Sequence, residues 1–147
     1  MGDESIVYMG LNLVAEDVEA TVDFYRLLGV SVPEASVWRS ETGAHHVADV
    51  DVGGTGVLEF DSTVLAREYV AESRDALPAT IIGFKVSTRD AVDALHHKIV
   101  AAGHPSRQAP YDAFWGARYA VVADPDGRDV GLMSPIDADM RSTPPTI

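Results

Sequence analysis

The chain has no cysteine among its 147 residues. That excludes disulfides, thiolate metal sites and a cysteine nucleophile, and leaves histidine and carboxylate chemistry open. Cations are scarce: 11 Lys and Arg stand against 23 Asp and Glu, a net charge of −12. Binding to nucleic acid or to an anionic membrane takes a basic patch, and this chain has few residues to build one, so neither partner is expected. A cationic ligand is easier to hold, although a high net charge in most proteins only keeps the chain soluble. No apolar run approaches the ~18 residues of a spanning helix. The start, Met1-Gly2-Asp3-Glu4, is acidic where a signal peptide is basic. The expectation is a cytoplasmic protein. Aromatics are also few, at 7%, yet Tyr111, Phe114, Trp115 and Tyr119 fall close together.

What the chain does have is an ordinary 46% of hydrophobic residues, enough for one globular domain spanning 1–147. The apolar stretch 6–14 predicts a strand. Glu16-Asp17 then opens a helix whose face is Val18, Val22, Tyr25 and Leu28, ended by Gly29. Residues 30–38 read as a strand carrying Pro33. Residues 45–52 and 57–61 alternate and form a hairpin around Gly53-Gly54-Thr55-Gly56. Residues 63–79 read as a linker. The order then repeats. A strand over 80–86 precedes Ser87-Thr88-Arg89-Asp90, which has capping-box spacing. The stripe Val92, Leu95, Ile99 and Ala102 marks a helix stopped by Gly103. Residues 104–115 read as a loop with room for a short strand, 117–123 and 129–133 as strands, and 135–147 as a frayed tail.

The chain is thus expected to be α+β, a tandem βαβββ repeat with modules at 6–62 and 80–134. Leu11-Asn12-Leu13-Val14 and Phe84-Lys85-Val86-Ser87 read as equivalent places. Two curved mixed sheets around a concave cleft would make a small-molecule site.

Three passages carry a family resemblance. They are Glu16 to Tyr25 followed by Leu28-Gly29, the strand Val57-Leu58-Glu59-Phe60, and Trp115-Gly116 through Asp124-Pro125-Asp126-Gly127-Arg128. In this order they resemble the vicinal oxygen chelate superfamily of glyoxalase I, extradiol dioxygenases, fosfomycin-resistance enzymes and bleomycin-binding proteins. The resemblance implies a homodimer and, in the enzymes, a divalent metal held by four His or Glu side chains. Carried over one at a time, those positions fall on Gly10, Glu59, Ile81 and Gly131. Only Glu59 can ligate, and a slip of one residue offers Met9 or Leu11, Thr80 or Ile82, and Val130 or Leu132. No metal, no cofactor and no catalytic residue is therefore expected. The histidines do not supply a substitute: His45-His46 point to opposite strand faces, His96-His97 sit about 100° apart on a helix, and His104 follows the helix stop.

Hairpin alternation puts Ala48, Val50, Val52, Leu58 and Phe60 on one face and Asp49, Asp51, Glu59 and Asp61 on the other. That second face is either solvated or an acidic wall for a cation. The candidate ligand-binding residues are Asn12, Trp38, Glu59, Tyr111, Phe114 and Trp115; Lys85 ranks below them. Aromatic rings at a cleft mouth stack flat ligands and cations. The expected function is metal-independent binding of an aromatic or cationic small molecule, with antibiotics among the candidates. The alternatives are a lyase or dioxygenase with an altered metal site, and a structural or regulatory module.

Overall fold

Each half of the chain begins with a short apolar strand that a capped helix then covers. The computed structural model describes residues 11–54, 56–65 and 81–143. The chain divides into two units, Met1–Asp75 and Ala76–Ile147. In the first, β1 (Leu11–Ala15) leads into α1 (Val18–Leu28), a single 3-10 turn (Glu34–Ser36), β2 (Val37–Ser40), β3 (Gly43–Asp51) and β4 (Val57–Ser62). The sheet order is β1-β4-β3-β2, with β1 parallel to β4 and the other pairs antiparallel. In the second, β5 (Ile81–Lys85), α2 (Arg89–Ala101), β6 (Ser106–Asp112), β7 (Arg118–Ala123) and β8 (Asp129–Met133) give the order β5-β8-β7-β6 with the same orientations. The βαβββ repeat is therefore present in both units.

The helices form where the sequence places them. Asp17 caps α1, its carboxylate accepting from the Ala20 amide at 3.0 Å, and Gly29 closes it at φ 110°. Val18, Val22, Tyr25 and Leu28 are buried as the spacing requires. Tyr25 lies 5.2 Å from the Phe60 ring, so the helix sits on the sheet face that carries Leu13, Val47, Val50, Leu58 and Phe60. Each such side chain contributes about 1.5–3 kcal/mol by leaving water. In α2, Val92 and Ile99 are fully buried, Leu95 is half-buried and Ala102 is exposed. The capping residue is Thr88 rather than Ser87, with its hydroxyl 3.1 Å from the Ala91 amide. The turn Asp124 to Gly127 closes around the buried Asp124 carboxylate, which accepts from the Asp126 and Arg128 amides and from the Arg128 guanidinium.

Four expectations need correction. Residues 30–38 are not one strand, because the 3-10 turn after Pro33 delays extended structure until Val37. Residues 104–115 are not mainly loop: seven of them form the edge strand β6, which is exposed on both faces and so lacks alternation. The tail is pinned as far as it is described, the Asp137 and Ser142 amides donating at 2.9 Å to the carbonyls of Gly116 and Phe114. The repeat equivalence shifts by two residues. Asn12 pairs with Glu59 and Gly83 with Gly131, and the caps Asp17 and Thr88 lie equally far beyond each, so Leu11–Val14 matches Ile82–Lys85. Part of the first predicted strand and most of the linker, with Gly10, lie outside the described residues.

Candidate functional site

Each sheet has one face under its helix and one open face. Strand register fixes which side chains share the open face, because directly paired residues point the same way. Across the first sheet one row reads Trp38, His46, Asp61 and Val14, with Glu59 and Asn12 paired in the next row. Across the second, the matching row reads Tyr111, Tyr119, Met133 and Lys85, with Val121, Gly131 and Gly83 beside it.

The first face is polar. The Asn12 amide donates to Asp61 Oδ2 at 2.7 Å, and His46 Nδ1 lies 2.5 Å from Asp61 Oδ1. Asp61 is buried, Glu59 half-buried, and Trp38 exposed beside His45 at a ring separation of 5.6 Å. The acidic wall of four carboxylates does not form. A bulge between Val47 and Val50 takes up Ala48 and Asp49, with Asp49 at φ 49°, so Val47 rather than Ala48 joins the buried set. Asp51 is exposed and accepts from the Gly54 amide in the hairpin turn. Glu59 and Asp61 alone keep the expected place on the sheet floor.

The second face is aromatic. Trp115 stands edge-on to Phe114 at 5.1 Å, to Tyr119 at 5.4 Å and to Tyr111 at 6.4 Å, all separations that favour such contacts. Tyr111 and Phe114 are each 37% exposed. Burial, followed by the nearby Tyr111 and Asp129, pushes the Tyr119 phenol above its ordinary pKa. Tyr119, a member of the aromatic cluster seen in the sequence but not among the six candidates, stands against Tyr111 and Trp115, and its hydroxyl lies against Gly131.

That contact bears on the metal positions. A Cβ on Gly131 would stand 2.6 Å from the Tyr119 hydroxyl oxygen, so the space a ligating side chain needs is filled by the ring. Ile81 offers an exposed hydrocarbon, and Gly10 lies outside the described residues. Glu59 is the one donor. Among the described residues no three His, Asp or Glu side chains cluster as a metal would require. The side chains present do not fit the four-ligand centre.

A groove of about 570 Å³ opens at the N-terminal end of α1, lined among others by Glu16, Glu19, Thr42, His45 and Ser62. None of the six candidate residues lines it. His45 is held there by hydroxyls: Ser62 on Nδ1 at 2.9 Å, and Thr42 and Ser40 on Nε2 at 2.8 and 3.0 Å. No helix among the described residues is long and apolar enough to cross a membrane.

Solved structures similar to this one include a hypothetical protein from S. aureus, at 23% identity and TM-score 0.71, covering 89% of this chain and 95% of that one. A glyoxalase/bleomycin resistance protein/dioxygenase family enzyme from Burkholderia phytofirmans PsJN matches at 24% identity and TM-score 0.70, over 84% and 94%. A lactoylglutathione lyase from Agrobacterium tumefaciens matches at 18% and 0.61, over 90% and 96%. At these identities the likeness is one of fold. No curated protein matches the chain. The model of one family matches residues 6–132, nearly the whole repeat. The chain belongs to the glyoxalase/bleomycin resistance protein/dioxygenase superfamily.

Proposed function

We propose that this protein binds a small aromatic or cationic molecule without a metal, an antibiotic being one candidate, as a cytoplasmic homodimer. The observation that carries the reading is the floor of the second sheet. Gly83 and Gly131 pair side by side there. A Cβ on Gly83 would meet nothing within 4 Å, so that part of the floor is open to a ligand, while Tyr111, Phe114, Trp115 and Tyr119 stand together on the same unit. A flat ring lying over Gly83 and against aromatic edges gains dispersion and, if charged, cation–π attraction. The first sheet, taken by itself, carries Asn12, Trp38 and Glu59, a polar side chain, a ring and a carboxylate that suit a ligand with polar or cationic groups.

Titration with ethidium, a planar cation, and with its neutral parent ring phenanthridine tests the reading. Tryptophan fluorescence should quench with ethidium, and Trp115→Ala should weaken binding by about 1–2 kcal/mol. Glu59→Gln should weaken ethidium more than phenanthridine. Unchanged affinity in Trp115→Ala removes the aromatic cluster from the site. Added Ni²⁺, Zn²⁺ or Fe²⁺ should leave the melting temperature where it is. A stoichiometric, tightly held metal would put the lyase or dioxygenase alternative in place of this one.

A further inference from the structure

Asp61 is a carboxylate buried on the side of its sheet that the core does not use. It is 3% exposed, although it lies on the face opposite α1. Removing a carboxylate from water is costly unless its oxygens are hydrogen-bonded, and here both are: Asn12 Nδ2 donates to Oδ2 and His46 Nδ1 to Oδ1. Ionised carboxylate oxygens only accept, so the proton of the pair belongs on Nδ1. The neutral imidazole then carries its lone pair on Nε2. That atom has no hydrogen-bond partner among the described residues, and the His46 side chain is 34% exposed. His45, one residue earlier, differs: hydroxyls hold both of its nitrogens.

We propose that His46 is a proton-accepting residue on the open face of the first sheet, with Asp61 and Asn12 as positioning residues. Its partner would be an O–H or N–H group on the bound molecule. The proton passes to Nε2, the electron pair stays on the ligand oxygen or nitrogen, and the imidazolium so formed faces the Asp61 carboxylate. Trp38, the cross-strand partner of His46, is an aromatic ring 54% exposed on the same sheet. Glu59, on the same face, is a second acceptor for an O–H or N–H group. The ligand class is therefore an aromatic ring bearing a hydroxyl or amine. This last step rests on the binding role proposed above; the state of the His46 ring does not.

Two measurements on the full chain test it without a ligand. In ¹⁵N-labelled protein, the neutral His46 ring should show a protonated Nδ1 and an unprotonated Nε2; the reverse assignment overturns the proposal. Diethyl pyrocarbonate reports the same lone pair chemically. Nε2 attacks a carbonyl carbon of the reagent, a C–O bond breaks and ethyl carbonate leaves. Peptide mass mapping should show His46 modified faster than His45. In Asp61→Asn the new amide can donate to Nδ1 and drive the proton to Nε2, so the His46 rate should fall about tenfold or more. Asn12→Ala, which keeps the Asp61 contact, should lose less. Equal rates at His45 and His46, or no loss in Asp61→Asn, would sink the idea. Should Asp61→Asn fail to fold, the ring assignment in the unaltered protein decides. Failure of ethidium to bind, with His46 reactive, would count against the binding role alone.

Discussion

The two sheets share a frame and differ in what they present. Both place a parallel pair at one edge, a capped helix on one face and the same pairing order across four strands. Superposed by register, Trp38 meets Tyr111, His46 meets Tyr119, Asp61 meets Met133, and the pair Asn12–Glu59 meets Gly83–Gly131. The buried face leaves little choice, because it must be apolar and close-packed to hold the helix. The open face carries no such demand. One copy has become a polar, hydrogen-bonded surface and the other an aromatic one with a hollow floor.

The largest effect should come from breaking the hollow floor at its filled end. Gly131→Ala pushes a methyl against Tyr119 and should cost about 1–3 kcal/mol in chemical denaturation. Gly83→Ala, its paired neighbour, meets open space and should leave stability unchanged or raise it by about 0.5 kcal/mol. Adding Tyr119→Ala to Gly131→Ala should give less than the sum of the two single costs; strict additivity would mean the ring does not occupy that space. A shared feature should respond alike in both copies: Asp17→Ala and Thr88→Ala each remove a helix cap and should each cost about 1 kcal/mol. A large inequality would show that the helices are not equivalent supports. The smallest effect is a pH dependence peculiar to the second sheet. Tyr119 keeps its proton in the folded state at pH values where the unfolded chain has begun to lose it, since its pKa is raised from 10.0. Stability should therefore fall as pH rises past 10.0. Tyr119→Phe should flatten that decline in an alkaline denaturation series.

The helices and their buried stripes were legible because spacing and capping are local signals. Val18, Val22, Tyr25 and Leu28 needed only a count along the chain, and so did the turn at Asp124. The bulge at Ala48–Asp49 was not legible. Nothing in alternation marks one inserted residue, and everything before it changes face when the insertion is missed. That single residue separated the predicted acidic wall from the observed pairing of Asp61 with His46 and Asn12. Strand β6 escaped for a different reason. It is an exposed edge interrupted by register shifts and carrying Pro110, so its residues show neither alternation nor a continuous apolar run. The aromatic cluster was visible as a run of ring-bearing residues, but the contact of Tyr119 with Gly131 became visible only through its place opposite Tyr111 on the sheet. The glycine at 131 was read as a missing ligand. The structure adds that its emptiness is already taken.

That occupancy has an evolutionary side. A descendant of this chain that gained glutamate or histidine at 131 would not thereby gain a metal centre. It would first inherit a collision, and relief would need a second change at position 119 that is of little use alone. Such mutual dependence acts as a ratchet. It makes the gain of a donor at 131 a two-step crossing through a less stable intermediate.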